Sequence, residues 1–264
     1  MNNRTVIFFD IDGTLFSPKT GIPASTLEAL SKLKEKNTDI VICTGRARSM
    51  VPQSIISIGF NGIIAGAGTY VEINEKTIYE INLENNDSSN LLEDIRHFGL
   101  IPILEGHSIS YYDDETADES YRNVLNHYFR EAKPYMKPIP KDYSHLNIAK
   151  ASARFTENGD SVSLMAKYKD KYNIVCHGNV LIEFIPKYSS KAKGIEEYLK
   201  YTDIPIENTY AFGDSMNDYE MLKYVNYGVA MGNSCTELKS ITKYITNDIN
   251  DDGIYNALVK FGLI

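Results

Sequence analysis

Val6-Ile7-Phe8-Phe9-Asp10-Ile11-Asp12-Gly13-Thr14-Leu15 decides the fold. A short apolar run stops at two aspartates and is followed by Gly-Thr. An unbroken run of Val, Ile and Phe suits a strand buried on both faces of a parallel sheet. Burying a carboxylate is costly unless something pairs with it, so two acids at the end of such a strand imply a cation or a reaction. In open α/β sheets ligands bind beyond the carboxyl ends of the strands. Gly13 gives the backbone the freedom to turn sharply there.

Outward from this segment, the first third of the chain alternates strands and helices. Ser25 suits the cap of a helix whose Leu27, Leu30 and Leu33 recur at helical spacing. Asp39–Cys43 reads as a second buried strand ending at Thr44-Gly45, and a helix is expected over 47–58, kinked or late-starting at Pro52. Gly62–Ala65 is a third strand. Residues 70–73 and 77–81 read as a hairpin around Asn74-Glu75-Lys76. Composition turns polar after Leu83, and from there to about Pro186 the pattern changes. Helices are expected over 89–98, 116–132 and 160–171. Strands are expected over 107–113, 148–156, 173–177 and 180–185, the last two meeting at Gly178-Asn179. The segment 133–145, with Pro134, Pro138 and Pro140, reads as an extended loop. The first pattern then returns, with helices over 191–200, 219–224, 234–243 and 253–261 and strands over 210–212, 227–231 and 244–246. This alternation defines an α/β class, a doubly wound, Rossmann-like parallel sheet. The expected domains are a core formed by 1–82 and 188–264 and an inserted α+β domain over 83–187.

Three later segments stand in order behind the first: Val41-Ile42-Cys43-Thr44-Gly45-Arg46, Ser190-Lys191-Ala192-Lys193-Gly194 and Gly213-Asp214-Ser215-Met216-Asn217-Asp218. With Asp10-Ile11-Asp12-Gly13-Thr14 they resemble the four motifs of the haloacid dehalogenase superfamily. The resemblance runs nearly end to end and is closest to the Cof-type subfamily, which carries a large α/β (C2-type) cap between the second and third motifs. It implies a magnesium-dependent phosphatase, in which Asp10 attacks phosphorus and Asp12 is general acid and base. Thr44, Gly45, Lys191 and Asn217 would contact the phosphate. Asp10, Asp214 and the main-chain carbonyl of Asp12 would hold Mg2+, with Asp218 behind them, holding Lys191 or a ligand water. Of Lys187, Lys191 and Lys193, the family spacing selects Lys191. Relatives often carry Asn-Gly after the third strand. Here Ala67 stands in the place of that Asn, so any substrate contact from its amide is absent.

The chemistry is consistent with these residue types. Phosphoryl transfer needs positioning, charge neutralisation and an in-line nucleophile, and a carboxylate nucleophile splits one hard step into two through an aspartyl-phosphate. Simple alternation puts Asp12 on the face opposite Asp10, so the turn at Gly13 has to bring its side chain back for proton transfer. The family's ATPases have Thr at that position, and an aspartate goes with hydrolysis or mutase chemistry. Magnesium prefers hard oxygen ligands and keeps several waters. The Thr44 hydroxyl and the N–H groups after it suit phosphoryl oxygens. Asp218 follows Asp214 by one helical turn. Asp214 or Asn217 would equally suit the cap of the next helix.

The chain has 264 residues, 43% hydrophobic and 23% charged, with 27 basic against 35 acidic side chains and a net charge of −8. That composition is of an ordinary globular protein and lacks the basic stripe of a nucleic-acid binder. The three cysteines, Cys43, Cys176 and Cys235, form neither a disulfide framework nor a zinc spacing. Neither a membrane span nor a cleavable signal peptide is expected, and the expected setting is cytoplasmic. The five histidines lack ligand spacing. Of the tyrosines in the insert, Tyr111, Tyr112, Tyr121 and Tyr128 read as core or surface, with one or two able to stack on a sugar. The expected function is hydrolysis of a small phosphorylated metabolite, such as a sugar phosphate, by a monomer or weak homo-oligomer. The alternatives are a phosphomutase of the same fold and a non-catalytic sensor of phosphometabolites.

Overall fold

The computed structural model describes residues 4–36, 38–117, 119–127 and 130–264, without the side chains of residues 120, 124, 126 and 127. Tyr128 lies outside the described residues. In chain order the elements begin with β1 (Thr5–Phe9), α1 (Ala24–Lys34), β2 (Thr38–Cys43), α2 (Gln53–Ile56), β3 (Gly62–Ala65), β4 (Tyr70–Ile73) and β5 (Lys76–Glu80). There follow α3 (Asn85–His97), β6 (Ile101–Glu105), β7 (Ser110–Tyr112), α4 (Glu119–His127), β8 (Met136–Pro138), β9 (Lys150–Arg154), α5 (Ser161–Tyr168), β10 (Tyr172–His177) and β11 (Leu181–Pro186). The chain closes with α6 (Lys191–Thr202), β12 (Thr209–Gly213), α7 (Tyr219–Tyr224), β13 (Tyr227–Ala230), α8 (Thr236–Ile241), β14 (Tyr244–Ile245) and α9 (Gly253–Lys260). The chain divides into two compact units. One comprises Met1–Gly45, Phe60–Tyr79 and Ser190–Ile264, the other Arg46–Gly59 and Glu80–Ser189.

The first unit is built on a sheet in the order β14-β13-β12-β1-β2-β3-β4-β5. β1 pairs in parallel with β2 on one side and β12 on the other. The chain therefore winds outward from β1 through β2 and β3, then returns to β12 and winds out the other way. That reversal makes the carboxyl ends of β1, β2 and β12 a topological switch point, where such sheets bind ligands. The apolar run Val6–Phe9 has no solvent exposure, as a strand covered on both faces requires. On one side Val6, Phe8, Val41, Ile64, Ile195 and Tyr198 pack in one cluster. The ring of Phe8 meets Tyr198 edge-on with centroids 5.6 Å apart.

The second unit holds a sheet in the order β10-β11-β9-β6-β7-β8, antiparallel except between β7 and β8. Leu91, Leu92 and Ile95 of α3 and Leu164 of α5 pack with Leu104, Ala151, Ala153, Ile182 and Phe184 of the sheet. Lys150 is buried between Glu105, at 3.3 Å, and Glu183. The segment 46–59 is tied into this unit. Ser49 Oγ donates to the Gly106 carbonyl at 2.7 Å and lies 2.8 Å from Ser110 Oγ, and Arg48 N–H donates to His107 Nδ1 at 3.5 Å. Burial, helped by nearby Lys150, lowers His107 to about 4 and keeps its imidazole neutral at physiological pH.

Local departures from the sequence reading have physical causes. The helix expected over 47–58 starts late at Pro52, as read, but is only the four-residue α2, and a 3₁₀ turn at Arg48–Met50 precedes it. Pro52 supplies no N–H and drives Val51 to extended geometry (φ −75°, ψ 122°), which breaks the helix between them. Helix α1 starts at Ala24 with Pro23 as N-cap, so Ser25 sits inside the helix and caps nothing. The strand expected over 107–113 is β7, shorter at both ends, and β6, with which it forms a hairpin, lies outside that span. Pro102 hid β6, and it lies beyond the two residues, Ile103 and Leu104, through which β6 pairs with β7. The β4–β5 hairpin turns on two residues, Asn74 and Glu75, both left-handed at φ 47° and 64°, which is the twist two-residue hairpins favour.

The turn after β3 bears on the site. Gly68 (φ +90°) runs so close to α6 that a Cβ there would stand 1.9 Å from the Ser190 carbonyl oxygen. Ala67 before it is left-handed (φ 53°, ψ 41°), and its N–H donates to the Thr44 carbonyl at 3.1 Å. A left-handed alanine costs about 1–2 kcal/mol, whereas a glycine gives back about 0.5–1 kcal/mol in unfolded-chain entropy. Ala67→Gly is therefore expected to stabilise the protein by about 0.5–1 kcal/mol, a rise in Tm of about 2 °C for a chain of this size, measured by thermal unfolding.

Candidate active site

Because β1 and β12 are parallel neighbours in register, with Phe9 opposite Phe212, the residues just past their ends fall side by side. These are Asp10 and, one residue after Gly213, Asp214. Asp10 N–H donates to the Phe212 carbonyl at 3.0 Å. Lys191 enters from the first turn of α6, whose N-cap Ser190 accepts from Lys193 N–H. Lys191 is 2% exposed, Asp10 5% and Asp218 0%. The Lys191 ammonium donates to Asp10 Oδ1 at 2.6 Å and to Asp218 Oδ1 at 2.5 Å. Asp218 Oδ2 accepts the Asp214 and Ser215 N–H groups at 3.0 and 3.1 Å. Both Asp218 oxygens are thus engaged, one by charge and one by main chain.

The Asp218 carboxylate and Ser215 side chain close a reciprocal capping box on the turn before α7. The cap is Ser215, so neither Asp214 nor Asn217 fills that role. The Ser-x-x-Asp spacing of Ser215 and Asp218 carries the signal, but it is obscured by the acids around it. Thr14, one residue past Gly13, donates from Oγ1 to Asp214 Oδ1 at 3.3 Å. Gly13 (φ +85°) leaves room for Asp214, since a Cβ there would meet Asp214 Oδ2 at 2.3 Å.

The Asp12 side chain is exposed, on a turn in which Thr14, Leu15 and Phe16 N–H all donate to the Ile11 carbonyl. It has left the strand, which frees it from strict alternation with Asp10. Thr44 is buried at the end of β2, its N–H bonded to the Ile64 carbonyl at 2.9 Å. The Asn217 amide stands beside Gly45, since a Cβ on Gly45 would lie 3.8 Å from Asn217 Nδ2, and Asn217 Oδ1 accepts from Ser215 Oγ at 2.8 Å. Asp10, Asp214, Asp218, Lys191, Thr44, Gly45 and Asn217 all belong to the first unit, at the ends of β1, β2 and β12 and the first turn of α6. Cys43 lies under Lys191, its Sγ 3.9 Å from the Lys191 carbonyl, and burial pushes its thiol up.

Carboxylate oxygens of Asp10, Asp214 and Asp218 lie within 4.8 Å of one another, against one ammonium. Burial holds Asp10 well above the usual carboxylate range. Lys191 opposes this, and Asp218 and Asp214 add to it. Burial, then Asp218, pushes Asp214 up to about 7. Burial alone would depress Lys191, but Asp10 and Asp218 reverse that and hold it above its ordinary value. A cluster with surplus negative charge, made of hard oxygen donors, fits a hard divalent cation.

The whole chain resembles proteins with this fold and these motifs. The family description haloacid dehalogenase-like hydrolase fits residues 7–258. YkrA of Bacillus subtilis (strain 168), provisionally named a phosphatase, is 28% identical over 98% of each chain. A protein of Streptococcus pyogenes serotype M6, named in the same provisional way, is 30% identical over 98% of each. Among solved structures, a sugar phosphatase of HAD subclass IIB is 26% identical over 98% of this chain and 100% of its own, with a TM-score of 0.84. The chain belongs to the haloacid dehalogenase-like hydrolases and at that level is an enzyme of the phosphatase type.

Lys191→Met would leave Asp10 and Asp218 buried without their cation. A loss of about 3–5 kcal/mol is expected, measured by urea unfolding. The raised Asp214 pKa has a definite sign. Between about pH 4 and pH 7 the folded protein keeps a proton there that the unfolded chain has released, so stability without metal falls as pH rises through that window. Asp10, shifted the same way, adds to the slope. A divalent cation competes with those protons, so magnesium is expected to raise Tm more at pH 8 than at pH 5, measured by thermal unfolding against an EDTA control.

Proposed function

We propose that this protein is a magnesium-dependent phosphomonoester hydrolase, acting on a small phosphorylated metabolite such as a sugar phosphate through an aspartyl-phosphate on Asp10. The observation that carries this reading is the Asp10 carboxylate itself. It is buried at the end of β1, tied through Oδ1 to Lys191 and grouped with Asp214 and Asp218. A buried carboxylate held in one orientation suits in-line attack on phosphorus. Asp12, exposed and off the strand, suits proton transfer to the leaving oxygen and later from the attacking water. Thr44, the N–H groups from Gly45 onward, Lys191 and Asn217 would hold the phosphoryl oxygens.

Asp10, Asp214 and the Asp12 main-chain carbonyl would hold Mg2+, and the chemistry such an ion supplies is neutralisation of the phosphoryl charge. Asp218 would keep Lys191 turned toward Asp10, and its two main-chain bonds fix its own rotamer. We assign the second unit the role of a cap that selects the non-phosphate part of the substrate. The sugar phosphatase among the similar structures supports the choice of substrate class. No helix of the described residues is long and apolar enough to cross a membrane.

The test is phosphate release from a panel of sugar phosphates, nucleotides, pyridoxal phosphate and p-nitrophenyl phosphate, with and without magnesium. Magnesium-dependent release is expected, together with its loss by a factor of about 10³ or more in Asp10→Asn while the circular dichroism spectrum stays unchanged. Isomerised sugar phosphate without release would make the protein a mutase. Ligand binding without either reaction would make it a sensor.

A further inference from the structure

β13 ends at Ala230, and the chain turns through Met231-Gly232-Asn233-Ser234 on its way to α8. The main chain of this turn is fixed. Met231 N–H donates to the Gly213 carbonyl at 2.9 Å and Gly232 N–H to the Asn247 carbonyl at 2.8 Å. From that platform the Asn233 carboxamide uses both of its ends. Oδ1 accepts Ile249 N–H at 3.0 Å, and Nδ2 donates to the Gly13 carbonyl at 2.7 Å. The first bond holds the turn in place. The second reaches across 220 residues of sequence to the Gly13–Thr14 peptide, the second peptide after Asp12.

That peptide is an unusual place for a clamp. Gly13 is left-handed and free of a Cβ that would strike Asp214, so the residue has no side chain of its own to fix its orientation. The Asp12 side chain is exposed and leaves from a turn, where the direction of its Cα–Cβ bond follows the setting of the adjoining peptide planes. Gly13 N–H donates to the Phe16 carbonyl at 2.9 Å and so holds the Asp12–Gly13 plane, while the Asn233 donor on the Gly13 carbonyl holds the next plane, and together the two bonds set the glycine on which the aim of Asp12 depends.

We propose that Asn233 is a positioning residue for proton transfer: its amide fixes the Gly13 carbonyl and so holds the Asp12 carboxyl toward the leaving oxygen. This rests on the phosphatase reading above. In the step concerned, an Asp10 oxygen forms its bond to phosphorus as the bond from phosphorus to the leaving oxygen breaks. The electron pair of that bond goes to the leaving oxygen, and the Asp12 proton goes with it. A poor leaving group such as an alkoxide needs the proton, whereas p-nitrophenolate departs without it.

The experiment compares kcat/KM for an alkyl phosphate (a hexose phosphate), phenyl phosphate and p-nitrophenyl phosphate, with magnesium, in wild type, Asn233→Ala and Asn233→Asp. This ratio reports steps through phosphoryl transfer and is blind to later hydrolysis of the phosphoenzyme. Asn233→Asp keeps the acceptor for Ile249 N–H and loses the donor to Gly13, so it carries the test if Asn233→Ala fails to fold. The expected result in either variant is a fall of about tenfold or more for the alkyl phosphate, part of the range general acids supply. The fall for p-nitrophenyl phosphate should be about threefold or less, giving a steeper dependence on leaving-group pKa. An equal fall for all three substrates, or an unchanged slope, would overturn the inference while leaving the phosphatase reading intact. No release from any of the three by wild type would remove that reading, and this one with it.

Discussion

One ammonium, on Lys191, makes the centre of this protein possible. Three aspartates crowd the ends of β1 and β12, and two of them are almost without solvent. Without a cation among them the interior would have to bear their mutual repulsion as well as the cost of desolvation. Lys191 can be there only because α6 begins where it does. Ser190 caps the helix, and Gly68 lets the turn after β3 come within a side chain's width of Ser190. The same turn, through Ala67, holds the carbonyl of Thr44. Charge balance, helix docking and the end of β2 are therefore parts of one arrangement.

The strand order explains why so few residues suffice. With β1 between β2 and β12, the ends of three adjacent parallel strands, each ~4.8 Å from the next, supply Asp10, Thr44 and Asp214. Lys191 reaches in from the first turn of α6. Asp218 then needs no freedom of its own. Two main-chain N–H groups and one ammonium account for both of its oxygens.

Much of this was legible in the sequence, for physical reasons that differ by element. The buried strands could be read because a parallel strand covered on both faces needs a continuous apolar run, as Val6–Phe9 and Ile40–Cys43 show. Asp10 stands out because a buried apolar strand ends on it, whereas Lys191, Asp214 and Asp218 could be named only through the family resemblance of their motifs. The elements misread were those where proline or a turn disguised the period. Pro102 interrupts the apolar run of β6, which no expected strand covers, whereas the late start at Pro52 was legible in the helix expected over 47–58. Asn233 gave no signal. Gly232-Asn233-Ser234 looks like any turn, and the partner of its amide, the Gly13 carbonyl, is a main-chain atom that no residue type announces.

The segment 46–59 has a consequence for how this protein can be taken apart. It leaves Gly45 and rejoins the first unit at Phe60, yet it belongs with Glu80–Ser189. The polypeptide thus passes between the units four times, at 45/46, 59/60, 79/80 and 189/190. An exchange of the second unit between relatives, cut only at the two later junctions, would import a foreign β6–β7 turn beneath a native Ser49 whose hydroxyl is matched to Gly106 and Ser110. The transplantable module is discontinuous, and its smaller piece begins at Arg46, just past Thr44 and Gly45 at the end of β2.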